Sequence, residues 1–148
     1  MKKLIYALVL TMTALFGFSA AAQTVMAQPE PDFDNPRKVV ISLNEKDLKR
    51  VNTVLNNVMN IQKAYGRDNV QLAVVAYGPG IWAVLKDSPV RARIESMQMY
   101  DIEFVACGNT LDAIKKDEGD TIKGVRWARA GLVEVIERRL NGWVDLKP

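Results

Sequence analysis

The chain of 148 residues contains no histidine and a single cysteine, Cys107. Without an imidazole there is no Ser-His-Asp triad, no Cys-His pair and no histidine metal ligand. One thiol cannot assemble a multi-cysteine zinc site, close an intramolecular disulfide or supply the Cys-x-x-Cys pair of a thioredoxin-type oxidoreductase. A dominant charge is missing too. The formal balance is +3, from 20 Lys and Arg against 17 Asp and Glu, and two of the basic residues, Lys2 and Lys3, lie at the very start. The remaining charges are interspersed, as on an ordinary solvated surface, and leave no electrostatic footprint for nucleic acid or an anionic membrane.

Long apolar runs are equally scarce. The one present, Leu4 to Phe18, carries no charge, follows Met1-Lys2-Lys3 and precedes Ser19-Ala20-Ala21-Ala22. A basic start, a short apolar core and small residues at Ala20 and Ala22 are the parts of a secretory signal peptide. The run is shorter than the roughly 20 residues that span a bilayer. Cleavage is therefore expected after Ala22, with Ala27 as the alternative. The product is expected to be periplasmic or secreted, with no stable membrane insertion once residues 1–22 are gone. Residues 23–37 contain Gln28-Pro29-Glu30-Pro31 and Asn35-Pro36 and read as a flexible leader. Residues 38–148 read as one domain. A mature chain of about 125 residues buries roughly two-thirds of its unfolded surface, enough for a core without disulfides.

Strand and helix signals alternate through that domain. Lys38-Val39-Val40-Ile41-Ser42-Leu43 is rich in β-branched residues and nearly continuous in hydrophobicity, the pattern of a strand buried on both faces. Asn44 is expected to cap the next helix, where Leu48, Val51, Val54, Leu55, Val58, Met59 and Ile61 recur mostly at three- and four-residue steps; Gly66 ends it. Val70 to Tyr77 reads as the second strand. Gly78-Pro79-Gly80 turns into a short helix over Ile81–Lys86, and Ser88-Pro89 opens another. Ile102 to Ala106 is the third strand and leads into Cys107. A helix around Thr110–Lys116, a charged loop, a short strand near Val125–Ala128 and a helix opening at Ala130-Gly131 follow. The apolar residues of that last helix are Leu132, Val133, Val135, Ile136 and Leu140; Gly142 ends it, and Trp143 to Leu146 forms a final strand.

Such alternation predicts an α/β domain with a mainly parallel sheet and helices on both faces. Right-handed crossovers place every strand-to-helix turn on one edge, where ligands of such sheets bind. Asn44, Tyr77 to Gly80, Cys107 to Thr110 and Arg129 to Gly131 should therefore converge.

Cys107 is the chemical centre of that group. A thiol between a strand and a helix start faces unpaired N–H groups and the positive end of a helix dipole, which favour the thiolate. The bland reading is a small buried hydrophobe, a common fate of free cysteine. Asn109 and Thr110 have the side chains of helix caps, while the neighbouring N–H groups, that of Gly108 included, suit an anionic sulfur. Gly78 and Gly80 serve a tight turn and let a ligand approach the backbone. Tyr77 is a hydrogen-bond donor to the thiolate or a half-buried strand-end aromatic. Arg129 pairs with an anionic sulfur or is a surface arginine.

Four stretches resemble the DsrE/DsrF-like family: Tyr77-Gly78-Pro79-Gly80, Ile102-Glu103-Phe104-Val105-Ala106-Cys107-Gly108-Asn109-Thr110-Leu111, Ala130-Gly131-Leu132-Val133-Glu134 and Gly142-Trp143-Val144-Asp145-Leu146-Lys147-Pro148. The resemblance runs from about Lys38 to Pro148. It implies a three-layer α/β/α domain with a mainly parallel sheet of about five strands, and homo-oligomers, either trimers or hexamers. Some members relay sulfur as a persulfide on a cysteine after the third strand, the position of Cys107. Many carry histidine where this chain has Tyr77, so no proton-transfer role is carried over to that residue.

The expected function is an exported sulfur carrier or sulfurtransferase that holds sulfane sulfur on Cys107 and passes it to a partner protein's thiol, with no metal and no organic cofactor. Two other readings stand beside it. One is a non-enzymatic, oligomeric binding or assembly module. The other is a redox sensor that forms a sulfenic acid or an intermolecular disulfide.

Overall fold

The computed structural model of the protein describes residues 24–148. The expected signal peptide, residues 1–22, lies outside them. Residues 24–30 are irregular, with a cis Gln28–Pro29 bond, and belong to a separate unit; residues 31–148 form the compact body. Residues 31–36 are irregular as well, and Arg37, the last residue of the expected leader, opens the first strand.

Five strands form one sheet: β1 (Arg37–Leu43), β2 (Val70–Ala76), β3 (Ile102–Cys107), β4 (Arg126–Ala128) and β5 (Val144–Leu146). Their order is β4-β3-β2-β1-β5 and every neighbouring pair is parallel. The sheet thus grows from β1 to β4 in one direction and returns across its whole width for β5. With right-handed crossovers, steps in one direction put their helices on one face and the return puts its helix on the other. Helices α1 (Leu48–Tyr65), α2 (Arg91–Gln98) and α3 (Gly108–Ala113), with the 3₁₀ segment Gly78–Val84, belong to the outward steps; α4 (Gly131–Leu140) belongs to the return. The result is a three-layer α/β/α domain.

The two faces differ in weight. Val39, Ile41, Leu43, Leu72, Val74, Ile102 and Phe104 project into the larger core with Val51, Val54, Leu55 and Val58 of α1, Ile94 and Met97 of α2 and Leu111 of α3. Their alternates Val40, Ala73, Val75, Val105 and Ala128 form a smaller core that α4 enters through Val135. Alternation along each strand supplies both sets, which is why the strands read as continuous apolar runs. Of the five apolar residues expected on α4, only Val135 turns to the sheet. Leu132, Val133, Ile136 and Leu140 are exposed, Leu140 by 77%. The ten-residue helix lies on a sheet that needs only its inner stripe.

Several local boundaries differ from expectation. Asp47, not Asn44, caps α1: its carboxylate accepts from Arg50 N–H at 2.9 Å. Asn44 instead folds toward the Gly78 turn, where its Oδ1 is buried without a partner. The Ser88-Pro89 start becomes a turn in which Ser88 Oγ accepts from Val90 N–H at 3.3 Å, and α2 begins at Arg91. The helix after Cys107 begins at once, at Gly108, and ends at Ala113. Gly66 and Gly142 do end their helices, both with positive φ (90° and 82°) that disfavours a side chain.

The cap assignment is testable by urea unfolding. Asp47→Ala should cost about 1 kcal/mol, the usual loss of a helix N-cap. Asn44→Ala should cost less, because it removes a buried oxygen that has no hydrogen bond to lose.

Candidate functional site

Parallel pairing brings the carboxyl ends of β1, β2, β3 and β4 to one edge, as the topology requires. Leu43 pairs with Ala76, Ala76 with Ala106 and Cys107 with Ala128. The residues that follow these ends meet there.

Cys107 is the last residue of β3 and occupies the N-cap position of α3, with φ −76° and ψ 114°. It is 6% exposed. Its sulfur accepts a hydrogen bond from Gly131 N–H at 3.2 Å. Gly131 is the first residue of α4, and no side chain caps that helix. Cysteine sulfur therefore occupies the place of an N-cap acceptor on a helix 24 residues away in sequence. The expected helix dipole is present at the thiol, but the direct N–H contact comes from α4 rather than from the helix that follows Cys107.

Space at this contact is tight. A Cβ on Gly131 would lie 3.1 Å from Cys107 Cβ, 3.3 Å from Tyr77 Cβ and 3.3 Å from Val75 Cγ1. Glycine at 131 lets the helix end descend onto the sulfur. On the other side, a Cβ on Gly108 would lie 2.6 Å from Trp127 Nε1, so the indole ring lies against bare backbone. Gly131 was expected at this edge but given no role at the thiol, and Trp127 was not expected there. The Ala130-Gly131 pair at a helix start was the visible signal for the first; nothing in the sequence aims Trp127, since its facing depends on the register of the short β4.

Thr110 does not cap α3. Its Oγ1 accepts from Gly78 N–H at 3.1 Å. The same hydroxyl lies near the Cys107 thiol and lowers its pKa. Asn109 is exposed and its N–H donates to Arg129 O at 3.0 Å, stitching the two loops together. Gly78 has φ 50° and its missing side chain leaves room for Asn44. Gly80 has another duty than ligand approach: a Cβ there would fall 2.0 Å from Leu43 O, so the close neighbour is the protein's own strand end. Tyr77 is half-buried; its N–H donates to Leu43 O at 3.2 Å and its ring packs on the smaller core. Arg129 faces away into solvent, with Nη1 2.9 Å from the Asp112 carboxylate. Thr110, Gly78, Gly131 and Cys107 thus form the site; Arg129 forms its rim.

Burial is the largest influence on the thiol and by itself raises its pKa. The Gly131 N–H hydrogen bond acts against it, together with the nearby Thr110 hydroxyl and the N–H ends of Thr110 and Asn109, and the thiol pKa is lowered from its ordinary value. A lowered thiol pKa raises the thiolate fraction near neutral pH and makes the sulfur a better leaving group. Among the described residues no group of three or more Cys, Asp or Glu side chains is placed to hold a metal ion, and no helix is long and apolar enough to cross a membrane.

No family model matches the chain, and no curated protein matches it. Solved structures share its fold, two of them as follows. A protein of unknown function from Methanobacterium thermoautotrophicum, MTH1491, is 29% identical, with a TM-score of 0.73, over 76% of this chain and 99% of its own. The ychN protein of E. coli is 16% identical, with a TM-score of 0.65, over the same shares of the two chains.

The pH dependence of alkylation of Cys107 measures the balance of burial and hydrogen bonding. Iodoacetamide reaction should show a midpoint below the free-thiol value of about 8.5. Thr110→Val should move the midpoint upward by removing the hydroxyl donor. The same shift acts on stability. Because the folded thiol titrates lower than the unfolded one, its contribution is absent below the folded midpoint, grows as pH rises through it and is complete above the unfolded value. The stability advantage of the wild type over Cys107→Ser should therefore increase with pH across that window.

Proposed function

We propose that the protein is a sulfur carrier of the DsrE/DsrF-like kind, acting after export, in which Cys107 holds sulfane sulfur and passes it to a partner protein's thiol. The single observation that carries this reading is the hydrogen bond from the α4 N-terminus to a sulfur whose pKa is lowered despite burial. The motif resemblance from Tyr77 to Pro148 and the fold shared with two solved structures over 76% of the chain support the family reading.

The chemistry is a pair of displacements at sulfur. The Cys107 thiolate attacks the outer sulfur of a donor R–S–SH; the new Cys107 S–S bond forms as the donor S–S bond breaks, and R–S⁻ leaves. An acceptor thiolate then attacks the outer sulfur of the Cys107 persulfide and expels the Cys107 thiolate. No net oxidation occurs in either step. The donors that lower the thiol's pKa serve both: they keep the nucleophile ionised and stabilise the same anion when it departs. Burial shields the persulfide from water and bulky oxidants.

Mass spectrometry of the reduced protein after treatment with glutathione persulfide should show an added mass of one sulfur atom, removed by dithiothreitol. Absence of that adduct, or its survival in Cys107→Ser, would end the proposal.

A second reading, an assembly module, is favoured by the exposed apolar stripe Leu132, Val133, Ile136 and Leu140 on α4. A second copy of this chain is the natural cover for so large an apolar surface. Sedimentation analysis should find an oligomer that Ile136→Glu dissociates and Cys107→Ser leaves intact. A monomeric wild type would remove this reading without touching the first.

A further inference from the structure

Four charged side chains close a ring beneath α4. Glu103 of β3 receives Arg126 Nε of β4 at 2.6 Å on one carboxylate oxygen and Arg138 Nη2 of α4 at 2.6 Å on the other. Glu134 of α4 receives Arg138 Nε at 2.8 Å and is also paired with Arg126. Arg138 is the most enclosed member, 12% exposed, and its guanidinium lies 4.3 Å from the centroid of the Trp143 ring. Its backbone carbonyl accepts Trp143 N–H at 3.0 Å. Neutral as a whole and half-buried, the ring satisfies each charge with two partners, the condition under which enclosed ion pairs hold geometry.

The ring lies on the same line as the thiol. Glu103, Val105 and Cys107 alternate along β3 and so share the face that α4 covers. On α4, Gly131, Val135 and Arg138 share one stripe, at steps of four and three. The contacts pair in reverse order: Cys107 with Gly131, Val105 in one core with Val135, Glu103 with Arg138. Helix and strand therefore lie antiparallel and are fastened at both ends. Seven helical residues advance about 10.5 Å, and four strand residues about 13 Å, so the two fastenings are commensurate.

We infer that Arg138 is a positioning residue for Cys107: by tying the lower half of α4 to Glu103, it sets the height at which Gly131 N–H meets the sulfur. This rests on the reading of Cys107 as the working group, but its test does not require sulfur transfer. The outer face of α4 is turned to solvent, where Leu132, Val133, Ile136 and Leu140 are exposed. Below the thiol the helix is held by Val135, by the charge ring with Arg138 over the Trp143 ring, and by Arg139 3.8 Å from the Asp145 carboxylate on β5; the ring is the tie to Glu103, near the start of β3.

Of the titratable groups on the elements packed here, Tyr77 meets the Cys107–Gly131 contact at the end of β2; Asp112 of α3 is paired with Arg129, and Glu134 of α4 with the ring. All are retained in the variants below.

The experiment is the alkylation midpoint of Cys107 with iodoacetamide, beside thermal unfolding. Arg138→Met should raise the midpoint and slow alkylation at pH 7 about threefold, as expected for a half-unit loss of thiolate. Arg138→Lys, which keeps the charge but not the fork, should recover part of the shift. Met97→Ala, in the core on the opposite face of the sheet, should lower the melting temperature without moving the midpoint. An Arg138→Met protein that melts lower but keeps the wild-type midpoint would overturn the inference, as would an equal midpoint shift in Met97→Ala. If Arg138→Met does not fold, Glu103→Gln carries the same test from the strand side, with the same two outcomes. Failure of persulfide formation in the wild type would remove the sulfur-carrier reading and leave the positional coupling standing.

Discussion

A hydrogen bond from Gly131 N–H to the sulfur of Cys107 joins the two directions in which this chain builds its sheet. Strands β1 to β4 step one way and carry their helices on one face; α4 is the only helix of the return. Its first N–H would otherwise be an unpaired donor at a helix end. Cysteine sulfur fills that place as a cap, and fills it better as an anion than as a thiol. Capping and thiolate stabilisation are thus one interaction viewed from its two partners. The glycine at 131 is its steric condition, because a methyl group there would press on Cys107, Tyr77 and Val75 together.

Burial and polarity oppose each other at this sulfur, and the outcome depends on the number of donors. An enclosed thiol with no donors becomes inert. Here Gly131 N–H on the sulfur, with the Thr110 hydroxyl and the N–H groups that follow Cys107, outweighs the desolvation. Backbone donors and a hydroxyl stabilise charge without carrying any of their own, so the site can hold an anion at a nearly neutral rim where Arg129 is already paired with Asp112. A carrier that must both seize and release a sulfur atom gains from such a field, since it favours the same thiolate before and after transfer.

The two faces of the sheet divide the work. The larger core, filled by α1, α2, α3 and the 3₁₀ turn, supplies the greater part of the apolar burial. The smaller core carries the site, held by one helix with a few apolar contacts and a ring of four charges. Ion pairs contribute less than apolar burial to stability but more to register, because each accepts a narrow range of positions. The outward stripe of α4 then remains available for contact with another copy.

Much of this was legible in one dimension. Continuous β-branched runs separated by periodic segments determine an α/β fold with a parallel sheet, and the order of those runs determines that Tyr77, Cys107 and Gly131 meet at one edge. Local signals placed Gly66 and Gly142 at helix ends and Cys107 at the close of a strand. What the sequence could not decide was which of two polar side chains caps a helix, which residues of α4 face inward, and which helix end reaches the thiol. Asn44 and Asp47 have equivalent capping chemistry; the Gly78 turn claims the first and leaves the second. Leu132 and Val135 are equally apolar; the stripe that faces the sheet is set by Gly131 on the sulfur and Arg138 on Glu103. Propensity and periodicity act over a few residues and so specify elements and their order. The state of the thiol depends on donors 2 to 24 residues away in the chain, and only packing brings the most distant, Gly131 N–H, to within hydrogen-bonding distance.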